Sequence, residues 1–230
     1  MLAVPQYTSL FLGEACELTR FRTAFAPPLT RRAAVAGALA ALCITGIAGP
    51  GSARSAAGRL ETPSTRPPEW AVPIGVEGVP NLHRINRSLY RSAQPKSVGF
   101  IGLARKLGIR TVINLRTLHS DDSLAQETGL ALVRVPIRSW DIRDDRMIEA
   151  LCQVRRGVER GAVLVHCNHG ADRTGLILAL SRTLCDGWSK GAAIEEMLHG
   201  EFGFHAVWAN IPMFIEKVDV SQLRQLVEMT

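Results

Sequence analysis

The tightest constraint on the fold lies in residues 162–184. Ala162-Val163-Leu164-Val165-His166 is a run of strand length, apolar as far as Val165, and residues 176–184 form a mostly apolar, helix-length stretch without alternation. Runs of this kind have no face to give to water. Both segments therefore belong at the centre of a domain, the strand in a sheet covered on both sides and the helix packed beside it. The link between them is short and polar: Cys167-Asn168-His169-Gly170-Ala171-Asp172-Arg173-Thr174-Gly175. A strand that turns directly into a helix N-terminus gathers several backbone N–H groups and the positive end of the helix dipole in one small volume, which binds an oxyanion such as phosphate. Gly170 permits the tight turn that such a loop needs.

The side chains of this loop add chemistry to the anion site. Cys167, at its start, sits in the same positive field, which favours the thiolate, the nucleophilic form of the side chain. Arg173, six residues on, can fold back and give two parallel hydrogen bonds to phosphoryl oxygens, a fork that Lys cannot supply. Thr174 can donate its hydroxyl to the sulfur when that sulfur departs. His166 is expected to point into the core and order the loop by hydrogen bonding. An accessible thiol of this kind is prone to reversible oxidation.

Elsewhere, short β-branched runs alternate with stretches of helical period, which argues for an α/β layered fold with a central, mostly parallel sheet of four to five strands flanked by helices. Residues 82–85 and 89–91 read as a short hairpin, and 97–107 as a helix closed by Gly108. Residues 111–115 and 130–137 read as strands, with a helix capped by Ser120 over 120–128 between them. A further helix starts at Asp144 and Asp145, whose charges suit a helix N-terminus, and spaces Met147, Ile148, Leu151, Val154 and Val158 on one face before Gly161. More helices are expected at 189–199, 207–218 and 221–229.

At 230 residues with 47% apolar and 21% charged side chains, the chain closes one good core, which excludes fibrous, collagen-like and wholly disordered chains. Its 27 Lys and Arg against 21 Asp and Glu leave a charge of +6. These basic residues are scattered, and with only 6% aromatics they build no stacking platform, so nucleic acid is not an expected partner.

The N-terminal region reads as an export leader. Arg31 and Arg32 precede residues 33–48, which are uncharged with Thr45 as the one clearly polar side chain, and Gly49-Pro50-Gly51-Ser52-Ala53 follows. This apolar stretch is shorter than the roughly 20 residues a spanning helix needs, so cleavage is expected rather than permanent anchoring. Thr30-Arg31-Arg32 also resembles a twin-arginine signal. The expected organisation is a leader over 1–57, a Pro-, Gly-, Thr- and Ser-rich tether over 58–78, and a catalytic domain over 79–230. A leader left uncleaved would hold the protein at the inner membrane, the one membrane contact expected. Once the leader is gone, Cys152, Cys167 and Cys185 remain, an odd number without metal-ligand spacing, so neither a disulfide framework nor a metal site is indicated.

The combination of His166, Cys167, Gly170, Arg173, Thr174 and Gly175, with an apolar strand before and an apolar helix behind, resembles the phosphate-binding loop of the cysteine-dependent protein tyrosine and dual-specificity phosphatases. Leu89-Tyr90-Arg91-Ser92-Ala93-Gln94-Pro95 and Gly108-Ile109-Arg110-Thr111-Val112-Ile113-Asn114-Leu115-Arg116 are similar to the opening of bacterial dual-specificity-like members, including exported ones that act in the periplasm. The resemblance covers about residues 80–200. It implies a protein tyrosine phosphatase-like fold and hydrolysis of phosphomonoesters through a cysteinyl-phosphate, without a cofactor or metal. The implied partner is a phosphorylated protein carrying phosphotyrosine, with phosphoserine and phosphothreonine as further substrates. In that reading Cys167 is the nucleophile, Arg173 and the loop residues Asn168, His169, Gly170, Ala171 and Asp172 bind the phosphate, and Thr174 assists the leaving sulfur.

The resemblance also implies a general acid from a loop upstream of the nucleophile, which protonates the leaving oxygen and then deprotonates water. Asp141, in Ser139-Trp140-Asp141 and 26 residues before Cys167, has that position. Asp172, just before Arg173, is the other candidate for the same role. Arg116 and Arg138 stand at strand ends from which they can approach the pocket. An acidic residue in the loop disfavours very anionic head groups, which ranks a phosphoinositide or inositol phosphate substrate second. Two other readings stay open: a sulfurtransferase or arsenate-reducing enzyme with a related loop, and a non-catalytic phosphate-binding protein.

Overall fold

Successive residues of the central strands supply two separate cores. In the computed structural model, which describes residues 66–230, β3 (Leu89–Ser92), β4 (Ile109–Asn114), β5 (Ala131–Arg134) and β6 (Ala162–His166) run parallel in the order β3-β6-β4-β5. Leu89, Ile113, Val163 and Val165 face the larger core, and Tyr90, Val112 and Leu164 face the smaller one. This two-sided burial is why β6 reads as a continuous apolar run. Fully burying a side chain such as Leu164 or Ile113 contributes about 1.5–3 kcal/mol, so β6 is gripped from both faces. β1 (Val72–Pro73) and β2 (His83–Arg84) extend the sheet antiparallel from β3, completing the order β1-β2-β3-β6-β4-β5.

The smaller core lies under α1 (Ser97–Lys106), through Phe100 and Leu103. The larger core is shared by α2 (Asp144–Arg160), α3 (Asp172–Cys185), α4 (Lys190–His199), α5 (Asn210–Lys217) and α6 (Val220–Met229). Leu176 through Leu180 of α3 are all buried, because α2, α4, α5 and α6 all pack on this helix. The α/β architecture, the mostly parallel sheet, the hairpin at β2–β3 and the helix beginning at Asp144 agree with the sequence reading. The sheet has six strands among the described residues rather than four or five, since β1 and β2, at two residues each, are too short to leave an alternation pattern.

Three other expectations are corrected. Residues 120–128 form turns, not a helix: Leu124 and Ala125 both donate to the Asp121 carbonyl, and Glu127 has a φ of 61°, which stops propagation after one turn. The strand expected over 130–137 is regular only over Ala131–Arg134, although the Val135 and Ile137 N–H groups beyond it still donate to the Asn114 and Leu115 carbonyls at 3.0 and 3.2 Å. The helix expected over 207–218 is split into a 3-10 turn (Ala206–Trp208) and α5; Pro212 is tolerated only in a first turn, which sets the start of α5 at Asn210.

The leader over 1–57 and the first part of the tether lie outside the described residues. The rest of the expected tether, residues 66–78, is part of the domain. Ala71 is fully buried and its N–H donates to Glu196 at 2.6 Å. Arg182 holds the same carboxylate with two parallel bonds of 2.7 and 2.9 Å, and Arg66 donates to the carbonyls of Ala71 and Gly200. A buried carboxylate needs every available donor, and the Ala71 N–H is one of them.

Candidate active site

The carboxyl ends of the parallel strands converge on one edge of the sheet, the edge at which α/β proteins bind ligands. The loop after β6 leaves from this edge and enters α3 at Asp172. Its first support is His166, fully buried, whose Nε2 lies 2.7 Å from Asp121 Oδ2 and whose Nδ1 lies 3.2 Å from the Cys167 carbonyl. This is the core-facing, loop-ordering role expected for it. Asp121 also accepts from Gln94 Nε2 at 3.0 Å, and Gln94 in turn accepts from the half-buried Arg116. Burial alone would raise the Asp121 carboxyl, but the hydrogen bond and charge of His166, with help from Gln94 and Arg116, hold it below the usual carboxylate range.

The second support orients the peptide groups. The Asn168 carbonyl accepts from the Gln94 N–H at 3.1 Å, His169 O from Asn81 Nδ2 at 2.8 Å, and Gly170 O from the buried Arg91 guanidinium at 2.6 Å, with Ala171 O 3.4 Å from the same nitrogen. In a trans peptide the N–H points opposite to the carbonyl. With these four carbonyls tied to surrounding elements, the N–H groups of His169, Gly170, Ala171 and Asp172 face the other way. Among the described residues none of the four has a hydrogen-bond acceptor. A row of unpaired donors at the start of a helix is the cradle for an oxyanion.

Arg91 is the anchor of this arrangement. Its guanidinium carbon lies 3.4 Å over the Phe202 ring, and burial pushes its pKa down, opposed by the charges of Glu196 and Cys167. Gly170 makes the turn possible: its φ is 71°, and a Cβ there would lie 2.4 Å from the Ser92 carbonyl carbon and 2.5 Å from the Ala93 nitrogen. Gly170→Ala is therefore expected to destabilise the domain by about 2 kcal/mol or more, read as a lower urea midpoint, and to weaken phosphate binding together with it.

Cys167 is a free thiol at the end of β6 and only 1% exposed. It lies beneath the loop and packs into the larger core, so it lacks the accessibility expected of its thiol. Arg173 is half-buried, and its Nε and the Thr174 hydroxyl are both buried without a hydrogen-bond partner among the described residues. Other buried side-chain atoms, such as Thr111 Oγ1 and Asn86 Nδ2, are likewise without a partner among the described residues, but these two lie at the loop, where a ligand or a reacting atom can meet them. Asn168 and His169 are exposed at the loop's rim, with Asn168 Nδ2 2.9 Å from His169 Nε2. Burial pushes the Cys152 and Cys185 thiols up, which disfavours the nucleophilic thiolate at both.

The two candidate acids differ sharply in surroundings. Asp141 is on the loop after β5, at the same sheet edge, exposed and only loosely paired with Arg138 at 4.0 Å. An exposed pair of this kind contributes little and leaves the carboxylate free to engage another group. The loop is braced behind Asp141 by Asn210 Nδ2, which donates to Ser139 O at 2.7 Å, and by Trp140 and Trp208, whose rings are 6.3 Å apart. Asp172 is instead buried at the first turn of α3 and already engaged, accepting from the His205 N–H at 2.9 Å with His205 Nδ1 2.9 Å from Oδ2. Sequence reasoning missed Asp121, Asn81 and His205, and left Arg91 and Gln94 without roles. The one signal available was that a core histidine requires a buried acceptor.

Fold and site together define a phosphate-loop α/β protein with a buried cysteine and an arginine six residues apart. A family model described as "Polymorphic toxin system, DSP-PTPase phosphatase" matches residues 86–184, and one described as "Tyrosine phosphatase family" matches residues 141–228. The dual specificity protein phosphatase TpbA of Pseudomonas aeruginosa is 37% identical over 167 residues, covering 71% of this chain and 73% of its own. The crystal structure of P. aeruginosa TpbA superimposes with a TM-score of 0.64 at 32% identity, covering 71% of this chain and 99% of that one. The catalytic core of Siw14 from Saccharomyces cerevisiae shares the fold, with a TM-score of 0.58 at 23% identity over 67% of this chain and 95% of its own. The chain belongs to the tyrosine and dual-specificity phosphatase family, and its activity is that of a phosphomonoester hydrolase of this type.

Proposed function

We propose that the chain removes phosphate from phosphotyrosine in proteins, with Cys167 as nucleophile, Arg173 and the loop amides as phosphate clamp, and Asp141 as acid and base. The observation that carries this reading is the set of four loop carbonyls tied outward, which leaves the amides of residues 169–172 free beside Cys167 and Arg173. In the first step the Cys167 thiolate forms a bond to phosphorus while the phenolic oxygen leaves and takes the Asp141 proton. In the second, Asp141 removes a proton from water, the water oxygen attacks phosphorus, and the sulfur departs with the Thr174 hydroxyl donating to it. Water alone balances the two steps. The phosphotyrosine preference is supported by the crystal structure of a P. aeruginosa TpbA variant in complex with pTyr.

Assigning the acid to Asp141 makes a prediction. Asp141→Asn is expected to lower kcat by about 10²–10⁴-fold on phosphotyrosine, and by much less on aryl phosphates whose leaving group needs no proton. Asp172→Asn is expected to keep turnover within about tenfold, because the Asp172 carboxylate serves His205. Steady-state kinetics of both variants on a panel of phosphotyrosine, phosphothreonine and inositol phosphates tests acid and substrate together; loss confined to Asp172→Asn would move the acid to the loop. Periplasmic export belongs to the same reading, supported by Arg31-Arg32 and the apolar stretch after them. N-terminal sequencing of the protein from a periplasmic fraction checks it, with a start beyond residue 48 expected.

A further inference from the structure

We propose that the side chains of His169 and Asp172 on the phosphate loop, together with His205, form a binding site for one divalent transition-metal ion of the zinc type, distinct from the hydrolytic chemistry. One ligand atom from each residue lies within 4.8 Å of those of the other two. Two donors held about 2.1 Å from a metal at the tetrahedral angle are about 3.4 Å apart. Asp172 Oδ2 and Oδ1 stand 2.9 and 3.0 Å from His205 Nδ1, so an ion can replace the proton they share once Oδ2 and Nδ1 move apart by about 0.5 Å. His169 closes the third side, its ring centroid 5.1 Å from that of His205.

The surroundings suit an ion. Asp172 Oδ1 accepts from the His205 backbone N–H at 2.9 Å, an outer bond that keeps the carboxylate oriented while Oδ2 turns to the metal. His169 Nε2 is paired with the Asn168 amide at 2.9 Å, which leaves Nδ1 for the ion and supplies the outer partner of the ring. Ligation through Nδ1 puts the proton on Nε2, and a half-turn of the Asn168 amide presents its oxygen to that proton. The carboxylate is buried, whereas the His205 side chain is 45% exposed and His169 lies at the surface, so the ion has a path in. Two imidazole nitrogens and one carboxylate oxygen favour Zn²⁺, Co²⁺, Ni²⁺ or Cu²⁺ over Mg²⁺ and Ca²⁺, which take oxygen sets.

Calorimetric titration of the full chain with Zn²⁺ is expected to give one ion per chain. His205→Ala, a residue outside the hydrolytic machinery, is expected to lose more than the roughly 10–100-fold in affinity that outer partners are worth. His199→Ala, an exposed histidine elsewhere, should bind as the parent does. Retained aryl phosphate turnover by His205→Ala certifies its fold. In the parent, the imidazole NMR signals of His169 and His205 should shift on adding Zn²⁺ while those of His83 and His166 stay in place, a readout that needs no variant. Equal affinity in His205→Ala overturns the proposal. So does a Co²⁺ complex with thiolate-to-cobalt absorption that disappears in Cys167→Ser, because the ion is then on the sulfur.

Discussion

Cys167→Ser is expected to lower phosphomonoester turnover by about a thousandfold or more while phosphate affinity stays within about threefold. The two effects separate because the loop's shape does not depend on the sulfur. The carbonyls of residues 168–171 are held by Gln94, Asn81 and Arg91, and the strand end is held by the His166–Asp121 pair, none of which the substitution touches. A hydroxyl is close to a thiol in size but is scarcely ionised at neutral pH, so the amide cradle remains and the nucleophile is lost. Steady-state kinetics on an aryl phosphate, with calorimetry on inorganic phosphate, checks both halves. Equal loss of binding and turnover would mean that the sulfur builds the loop; retained turnover would mean that another group attacks.

Arg173→Lys is expected to cost about a hundredfold or more in kcat/KM, with a change in unfolding free energy within about 1 kcal/mol. A lysine keeps the charge and loses the planar fork, so the penalty falls on the transition state, where equatorial oxygens need two parallel donors. Stability is spared because the Arg173 Nε has no protein partner among the described residues. Arg91 gives the contrast. It is just as cationic, but it is buried and holds the Gly170 carbonyl at 2.6 Å, so Arg91→Lys should lower the melting temperature as well as activity. Urea unfolding and kinetics on the two variants side by side distinguish a guanidinium that binds substrate from one that builds the loop.

Most of the loop was legible in the sequence because strand, loop and helix are contiguous: Ala162–His166 and Asp172–Cys185 flank it directly, and their apolar runs announce burial. What supports the loop from outside was not. Asp121 is 45 residues from its partner His166, and His205 is 33 from Asp172, separations over which no local pattern operates. Asp121 was also concealed within a segment whose spacing suggested a helix, and its carboxylate turns inward to His166 while the backbone makes turns. The same holds for residues 66–78. Their Pro- and Gly-rich composition describes a tether, yet the Ala71 N–H finds the Glu196 carboxylate 125 residues away and the segment packs. Asp141 was legible as a position after a strand, while its bracing by Asn210 and Trp208 came only with the tertiary structure.

Acid quenching of the enzyme during turnover of an aryl phosphate, followed by peptide mass spectrometry, looks directly for the phosphorus–sulfur bond. The expected result is a phosphoryl group on the peptide containing Cys167, accumulating when the second step is slowed by Asp141→Asn and absent from Cys167→Ser. Steady turnover with that peptide unmodified, or a phosphoryl group on any other residue, would contradict the account.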